Sequence, residues 1–177
     1  MNNNEIVPGF DDEKDGSIEI RLQNIDEVLG CLVLYLTGYV DTYNSKYFQK
    51  QVNKVIQAGF IRLVFNLAGY NMVSSVLFSC FAAFLKAIKP LGGDLILIRI
   101  EPKVYEIYQL LGFSEFFNIK DSIEEAVQFF QTGTIFPKIF DCPICLCKQT
   151  ALKPGQFHCS ECQTLFDIDP DGEVFIG

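Results

Sequence analysis

The chain has no tryptophan and a single histidine, His158, among its 177 residues. With one imidazole, no base–nucleophile pair and no glycine-rich phosphate loop, the sequence argues against an enzyme. It is also short of positive charge. Fourteen Lys and Arg face twenty-two Asp and Glu, giving a net charge of −8 and a pI near 4.6. A chain with no cationic surplus cannot neutralise phosphates, which argues against nucleic acid as a partner. Long apolar runs are missing too. The longest, residues 73–85, has 13 residues and includes serines, too few to span a bilayer. Residues 1–14 are polar and acidic, unlike a secretory leader. The expectation is a soluble cytoplasmic protein. Internal repeats and low-complexity tracts are absent.

What is present is a folded core. Hydrophobic residues make up 49% of the chain and aromatics 14%, with seventeen Phe. The length suits one domain of about 100–150 residues and a small satellite. Residues 1–16, rich in Asn, Asp and Glu, read as a flexible acidic arm. Ile18, Ile20 and Leu22 alternate as in a half-buried strand, and residues 30–40 form a more continuous apolar strand. Asp41 to Asn44 read as a turn, with Asn44 the N-cap of a helix running to Ala58 and closed by Gly59. A third strand covers residues 61–67, and a helix follows from Ser75 to Lys89. After Gly92-Gly93 come a strand at 94–100, a helix opened by Pro102 and closed by Gly112, and a short strand at 116–119. A final helix is announced by the capping box Ser122 and Glu125. The order ββαβαβαβα predicts an α/β domain with a mixed sheet over residues 17–132. Residues 133–141 read as a linker, and 142–177 as a small separate unit with a hairpin turn at 169–172.

That last unit carries Cys142-x2-Cys145 and Cys159-x2-Cys162, separated by thirteen residues. Two such pairs make two knuckles whose four thiolates can surround one tetrahedral Zn²⁺. About forty residues cannot bury enough apolar surface to fold unaided, so a structural metal is expected. The absence of a secretory leader argues against a disulfide pair. Cys147 and His158 lie beside the knuckles and are alternate ligands. A closed four-thiolate site has no open position for water, so metal catalysis is not expected. The zinc ribbon is read as a docking or stabilising element. A zinc-thiol redox sensor using Cys147 is a further alternative.

Ser74 and Ser75 stand where the strand period gives way to the helix period. Helix starts carry unpaired N–H groups and partial positive charge, so a serine there can cap the helix or accept a phosphate that the same groups hold. On this helix Leu77, Phe81, Phe84 and Ile88 share the core face. Ser75, Ser79, Ala82 and Lys86 share the opposite face, and Phe78 falls on the border.

These pieces resemble the STAS domain of bacterial anti-sigma-factor antagonists over about residues 17–130. The strand LVLYLTGYVDTYNS carries Gly38, Asp41 and Asn44 in the family's Gly-x-x-Asp-x-x-Asn/Thr turn. RLVFNLAGYNMVSS matches the strand before the regulatory serine. Gly92-Gly93 precedes an apolar strand, and Leu110-Leu111-Gly112-Phe113 closes a helix. In the family an Asp-Ser-Ser/Thr-Gly segment opens this helix. Its first serine is phosphorylated by a partner kinase that is also the anti-sigma factor, which breaks the complex. By resemblance the phosphoacceptor is Ser75, with Ser74 the runner-up, and the family's Asp, Ser/Thr and Gly fall on Ser74, Val76 and Leu77. The resemblance implies a regulatory protein that binds an anti-sigma factor or related serine kinase through Asp41, Asn44, Ser74, Ser75, Phe78, Ser79 and Ala82. The alternative is an adaptor that is not phosphorylated, as some STAS-like domains are in transporters, with the ribbon recruiting a second protein.

Overall fold

A computed structural model describes residues 2–70, 72, 74–113, 117–133, 138–151, 155–169 and 173–177. Residues 170–172 of the turn expected at 169–172, and the start of the strand expected at 116, lie outside them. The chain divides into two compact units, 1–127 and 128–177.

The first unit is built on a five-stranded sheet in the order β1-β2-β3-β4-β5. Strands β1 (Ile18–Ile25) and β2 (Cys31–Gly38) form an antiparallel hairpin in which Ile18 pairs with Gly38 and Ile25 with Cys31. Strands β3 (Arg62–Tyr70), β4 (Asp94–Ile98) and β5 (Asn118–Lys120) then add in parallel, each after a helical crossover. The crossovers are α2 (Ser45–Gln57), α3 (Ser75–Ile88) and α4 (Pro102–Leu110). A last helix, α5, runs Ile123–Gly133, and the Ser122 hydroxyl caps it by accepting from Glu125 N at 3.2 Å. This is the mixed α/β arrangement that the element order predicts.

Alternation along the strands sorts the core. Leu32, Leu34, Leu36, Leu63, Phe65, Leu67, Leu95 and Leu97 share one continuous core with the inward faces of α2, α3 and α4. Its centre is aromatic. Phe65 meets Phe81 at 4.6 Å between ring centres and Phe48 meets Phe84 at 5.5 Å. The intervening strand residues Cys31, Val33, Val64, Ile96 and Ile98 are buried as well, as expected where both faces of parallel strands are covered.

Two glycines of the family-like motifs have steric reasons. Gly38 has φ +105°, and a Cβ there would fall 2.1 Å from the carbonyl oxygen of Ser17. A Cβ on Gly93 would fall 2.1 Å from the carbonyl oxygen of Ile61. Both distances are impossible without moving main chain.

The N-terminal stretch corrects the expectation of a flexible arm. A short helix, α1 (Asn3–Ile6), and a 3₁₀ turn at Phe10–Asp12 lie against the domain. Val7 and Phe10 are buried in its core. The Asn3 side chain donates to the Ile20 carbonyl at 2.8 Å and accepts from Leu22 N at 2.8 Å, pairing with β1 as another strand would. Residues of α2 fasten the rest: Gln51 donates to the Phe10 carbonyl, Lys54 to the Gly9 carbonyl and Tyr47 to the Glu13 carbonyl. Two apolar anchors and a set of side chain–backbone bonds offset the polarity that composition alone weighs.

In the second unit β6 (Lys138–Asp141) pairs antiparallel with β7 (Lys148–Ala151). The second half of the segment expected to be a linker is therefore a strand. A three-stranded sheet, β8 (Gly155–His158), β9 (Leu165–Ile168) and β10 (Val174–Ile176), completes the unit. Cys142, Cys159 and Phe166 form its buried centre, with Phe140 and Phe157 packed on them.

Candidate functional site

Parallel pairing of β2 with β3 brings their C-terminal ends together, Gly38 opposite Tyr70. The buried Tyr70 hydroxyl ties the two exits, accepting from Val40 N at 3.3 Å and donating to the Val40 carbonyl at 3.4 Å. The turn after β2 and the approach to α3 thus leave the sheet side by side, where ligand and partner sites of open α/β sheets recur.

The two serines at the start of α3 do different things. Ser74 is the N-cap: its backbone is extended (φ −140°, ψ 126°) and its hydroxyl accepts from Val76 N at 3.1 Å. Ser75 is the first helical residue and is exposed. No group among the described residues hydrogen-bonds its hydroxyl. The Ser75 carbonyl instead accepts from the Ser79 hydroxyl at 3.0 Å. No acidic residue occupies the first turn of α3, so its positive end is uncompensated. Ser79 and Ala82 are exposed along the same face.

Phe78 corrects an expectation. It is fully buried, 5.6 Å from Tyr108, 5.4 Å from Phe113 and 6.3 Å from Phe81 between ring centres. Tyr108 of α4 and Phe113 beyond its end cover the flank of α3 that the helical wheel leaves at the border. Phe78 is core and offers nothing to a partner.

Asn44 is corrected likewise. It precedes α2 but makes no side-chain cap. It is 3% exposed, accepting from Asp41 N at 2.8 Å and donating to the Tyr39 carbonyl at 2.9 Å. Asp41 instead builds the turn ahead of the helix, its carboxylate accepting from Tyr43 N at 2.8 Å and Asn44 N at 3.1 Å. Asn44 therefore locks the turn from inside. Outside it the turn displays Tyr43, 95% exposed, and Tyr39, with Met72 exposed on the approach to α3. Periodicity missed these three, because single apolar residues in turns carry no repeat; their place beside the serines is visible only from strand pairing.

In the second unit, the sulfurs of Cys142, Cys145, Cys159 and Cys162 all lie within 4.8 Å of one another. Cys142 and Cys159 are buried, while Cys145 and Cys162 are exposed. The closest ligand pairs, Cys142–Cys162 at 3.7 Å and Cys145–Cys159 at 3.5 Å, approach the edge of a sulfur tetrahedron, about 3.8 Å for metal–sulfur bonds of about 2.3 Å. Backbone N–H groups of Cys162 and Glu161, 3.5 and 3.4 Å from the Cys159 sulfur, pull that thiol down to about 6. The Thr164 hydroxyl, 3.0 Å away, lowers Cys162 as well. Cys159 and Cys162 are thus drawn toward the thiolate that a thiophilic metal requires. At Cys145 the Cys147 backbone pulls the thiol down, but hydrogen bonding with the neighbouring sulfurs outweighs it and raises Cys145. The placement of the four sulfurs is compatible with a zinc ribbon. His158 lies exposed on β8 and Cys147 beside two of the sulfurs; neither belongs to the mutually close four.

Cys31 and Cys80 stand apart, buried in the first unit. Burial pushes the Cys31 thiol up to about 12 and raises Cys80, so both are inert packing residues.

Comparisons agree with this geometry. The STAS domain profile matches residues 20–126, and a domain of unknown function, DUF8512, matches residues 139–177. BtrV of Bordetella bronchiseptica, named as an anti-sigma factor antagonist, is 26% identical over 109 residues, covering 62% of this chain and 94% of that protein. An anti-sigma factor antagonist from Mycobacterium paratuberculosis has a similar structure, with TM-score 0.58 and 18% identity over 67% of this chain and 98% of the other. So has the anti-sigma factor antagonist SpoIIAA in its unphosphorylated form, with TM-score 0.53 and 17% identity over 65% and 97%. At these identities the structures speak for the fold alone. No helix among the described residues is long and apolar enough to cross a membrane. With the profile spanning more than half of its length, the chain belongs to the STAS domain family and carries a four-cysteine unit behind that domain.

Proposed function

We propose that this protein is a regulatory, non-enzymatic binding module. It docks an anti-sigma factor of the serine-kinase type through the start of α3, and phosphorylation of Ser75 releases it. The observation that carries the reading is the division of labour between the serines: Ser74 is spent on capping Val76 N, while Ser75 presents an exposed hydroxyl. The docking face comprises Ser75, Ser79 and Ala82 on α3, Asp41 in the neighbouring turn, and the exposed Tyr39, Tyr43 and Met72. Ser74 and Asn44 shape that face from within.

Phosphorylation would add about −1.5 to −2 charges to a surface of small and aromatic residues. Free N–H groups at the start of α3 hold the phosphate in the isolated protein, so the modified state is stable, while the contact loses complementarity and gains a desolvation cost. Incubation with such a kinase and ATP should add one phosphate, mapped by mass spectrometry to Ser75, and weaken the complex. Phosphate on Ser74, or none, refutes the switch.

The four cysteines are proposed to hold a structural Zn²⁺ that supplies the folding energy of the second unit. A second reading is favoured by Ile144 and Leu146, 59% and 73% exposed in the first knuckle. In it the α3 face binds constitutively and the ribbon recruits another protein. Ser75→Asp separates the two: it abolishes docking in the first reading and leaves it intact in the second.

A further inference from the structure

The two cysteine knuckles repeat one hydrogen-bond pattern. In the first, Cys142 N–H donates to the Cys147 carbonyl at 2.9 Å and Leu146 N–H to the Cys142 carbonyl at 2.9 Å. In the second, Cys159 N–H donates to the Thr164 carbonyl at 2.9 Å and Gln163 N–H to the Cys159 carbonyl at 3.1 Å. Leu146 and Gln163 are both left-handed, with φ of 62° and 61°. Cys147 and Thr164 therefore occupy equivalent places, each closing its knuckle. Their side chains also do equivalent things. The Thr164 hydroxyl lies 3.0 Å from the sulfur of Cys162, and the Cys147 sulfur 3.1 Å from that of Cys145. Cys162 and Cys145 are the outer, exposed cysteines of their knuckles.

We propose that Cys147 is the thiol counterpart of Thr164, a positioning residue that donates a hydrogen bond to the Cys145 ligand and takes no place in the metal's own shell. The inference rests on the four-cysteine metal site proposed above. Three observations carry it. Cys147 lies 3.1 and 3.2 Å from the sulfurs of Cys145 and Cys159, closer than the edge of about 3.8 Å that two sulfurs on one tetrahedral ion would span. The pairs within the four, at 3.7 and 3.5 Å, are nearer to that edge. Second, the Cys147 sulfur already accepts from Gln149 Nε2 at 3.0 Å. The same amide reaches across to the other knuckle, donating to the Ser160 hydroxyl at 3.0 Å and accepting from Ser160 N at 3.3 Å. With one sulfur lone pair engaged by Gln149, the Cys147 S–H is oriented to donate to a ligand sulfur. Third, the equivalent position in the other knuckle holds a threonine, which donates well and does not ligate a soft metal.

The chemistry gives such donors a purpose. Four thiolates on a divalent ion leave a net charge of −2, and hydrogen bonds to the sulfurs spread that charge and fix ligand rotamers. The relay from Gln149 through Cys147 to Cys145 does this on one side of the metal, and Thr164 does it on the other.

The test is titration of the full-length chain with Co²⁺, whose absorption bands report the number of sulfur ligands, followed by competition with a zinc chelator. Wild type and Cys147→Thr should each bind one ion with the same four-sulfur spectrum and the same affinity. Cys147→Val should keep that spectrum but lose the metal at 10–100-fold lower chelator concentration. Cys145→Ser should fall to a three-sulfur spectrum. A four-sulfur spectrum in Cys145→Ser, a three-sulfur spectrum in Cys147→Thr, or unchanged affinity in Cys147→Val would each overturn the assignment. If wild type takes up no Co²⁺, the four-cysteine site itself is refuted and this assignment with it. Failures confined to the variants count against Cys147 alone.

Discussion

Replacing Ser74 and Ser75 by alanine one at a time separates capping from modification, and the two variants should behave in opposite ways. Ser74→Ala removes the hydroxyl that accepts from Val76 N at 3.1 Å. The orphaned N–H then faces a half-buried surrounding, and loss of such a cap costs about 1 kcal/mol, within a range of about 0.5–2. Since α3 buries Leu77, Phe78, Cys80, Phe81, Phe84 and Ile88, it cannot fray without opening the core, so the loss should appear in global stability. For a unit of 127 residues the unfolding entropy is about 0.27 kcal/mol/K, so the melting temperature of that unit should fall by about 4 °C. Ser75→Ala removes an exposed hydroxyl with no partner among the described residues, and alanine is a good first-turn residue. Its melting temperature should stay within about 1 °C of wild type. Kinase modification should reverse the order, with Ser74→Ala still a substrate and Ser75→Ala not. Ser75→Asp should leave the fold as stable as wild type or stabilise it by about 0.3–1 kcal/mol, because the first turn of α3 lacks an acidic residue. Any loss of partner binding in Ser75→Asp then reports the interface. Circular dichroism melts and intact-protein mass spectrometry of the same preparations suffice. Equal destabilisation by both alanines, or phosphate retained in Ser75→Ala, would refute the division of roles.

Other outcomes follow from the same packing. Phe78→Ala should cost about 3–5 kcal/mol, read by chemical denaturation, since it empties the space shared with Phe81, Tyr108 and Phe113; a change below about 1 kcal/mol would restore Phe78 to the surface. Asn44→Ala should cost about 2–3 kcal/mol by leaving Asp41 N–H and the Tyr39 carbonyl without their buried partner, and should weaken partner binding although the residue is hidden. Removing metal with a strong chelator should collapse the NMR signals of β8, β9 and β10 and leave those of β2, β3 and β4 in place, because the proposed zinc supports the second unit alone.

Much of the fold was legible because strand and helix periods change at marked places. Gly38, Asp41, Gly92-Gly93 and Pro102 punctuate the crossovers, and β2, β3 and β4 fall where the apolar runs lie. The cysteine spacing was legible for a similar reason, since two short-range pairs need only one long-range closure. What stayed hidden was decided by neighbours distant in sequence. Phe78 and Leu85 share a flank on a helical wheel, but only one of them lies under Tyr108 and Phe113. Asn44 and Asp41 are both strong capping residues, and which of them turns inward depends on the Tyr39 carbonyl behind the turn. Residues 1–16 look disordered by composition, yet Val7, Phe10 and one amide side chain suffice to anchor them.

That amide has a practical side. β1 ends the order β1-β2-β3-β4-β5, and its outward N–H and C=O groups are a template on which a strand from another molecule could grow. Asn3 already occupies the Ile20 carbonyl and the Leu22 N–H. A shortened protein cut at the start of the STAS match, near residue 20, would discard this plug together with the Val7 and Phe10 anchors. It should then be prone to edge-to-edge aggregation on storage, while a version that keeps Asn3 should stay dispersed.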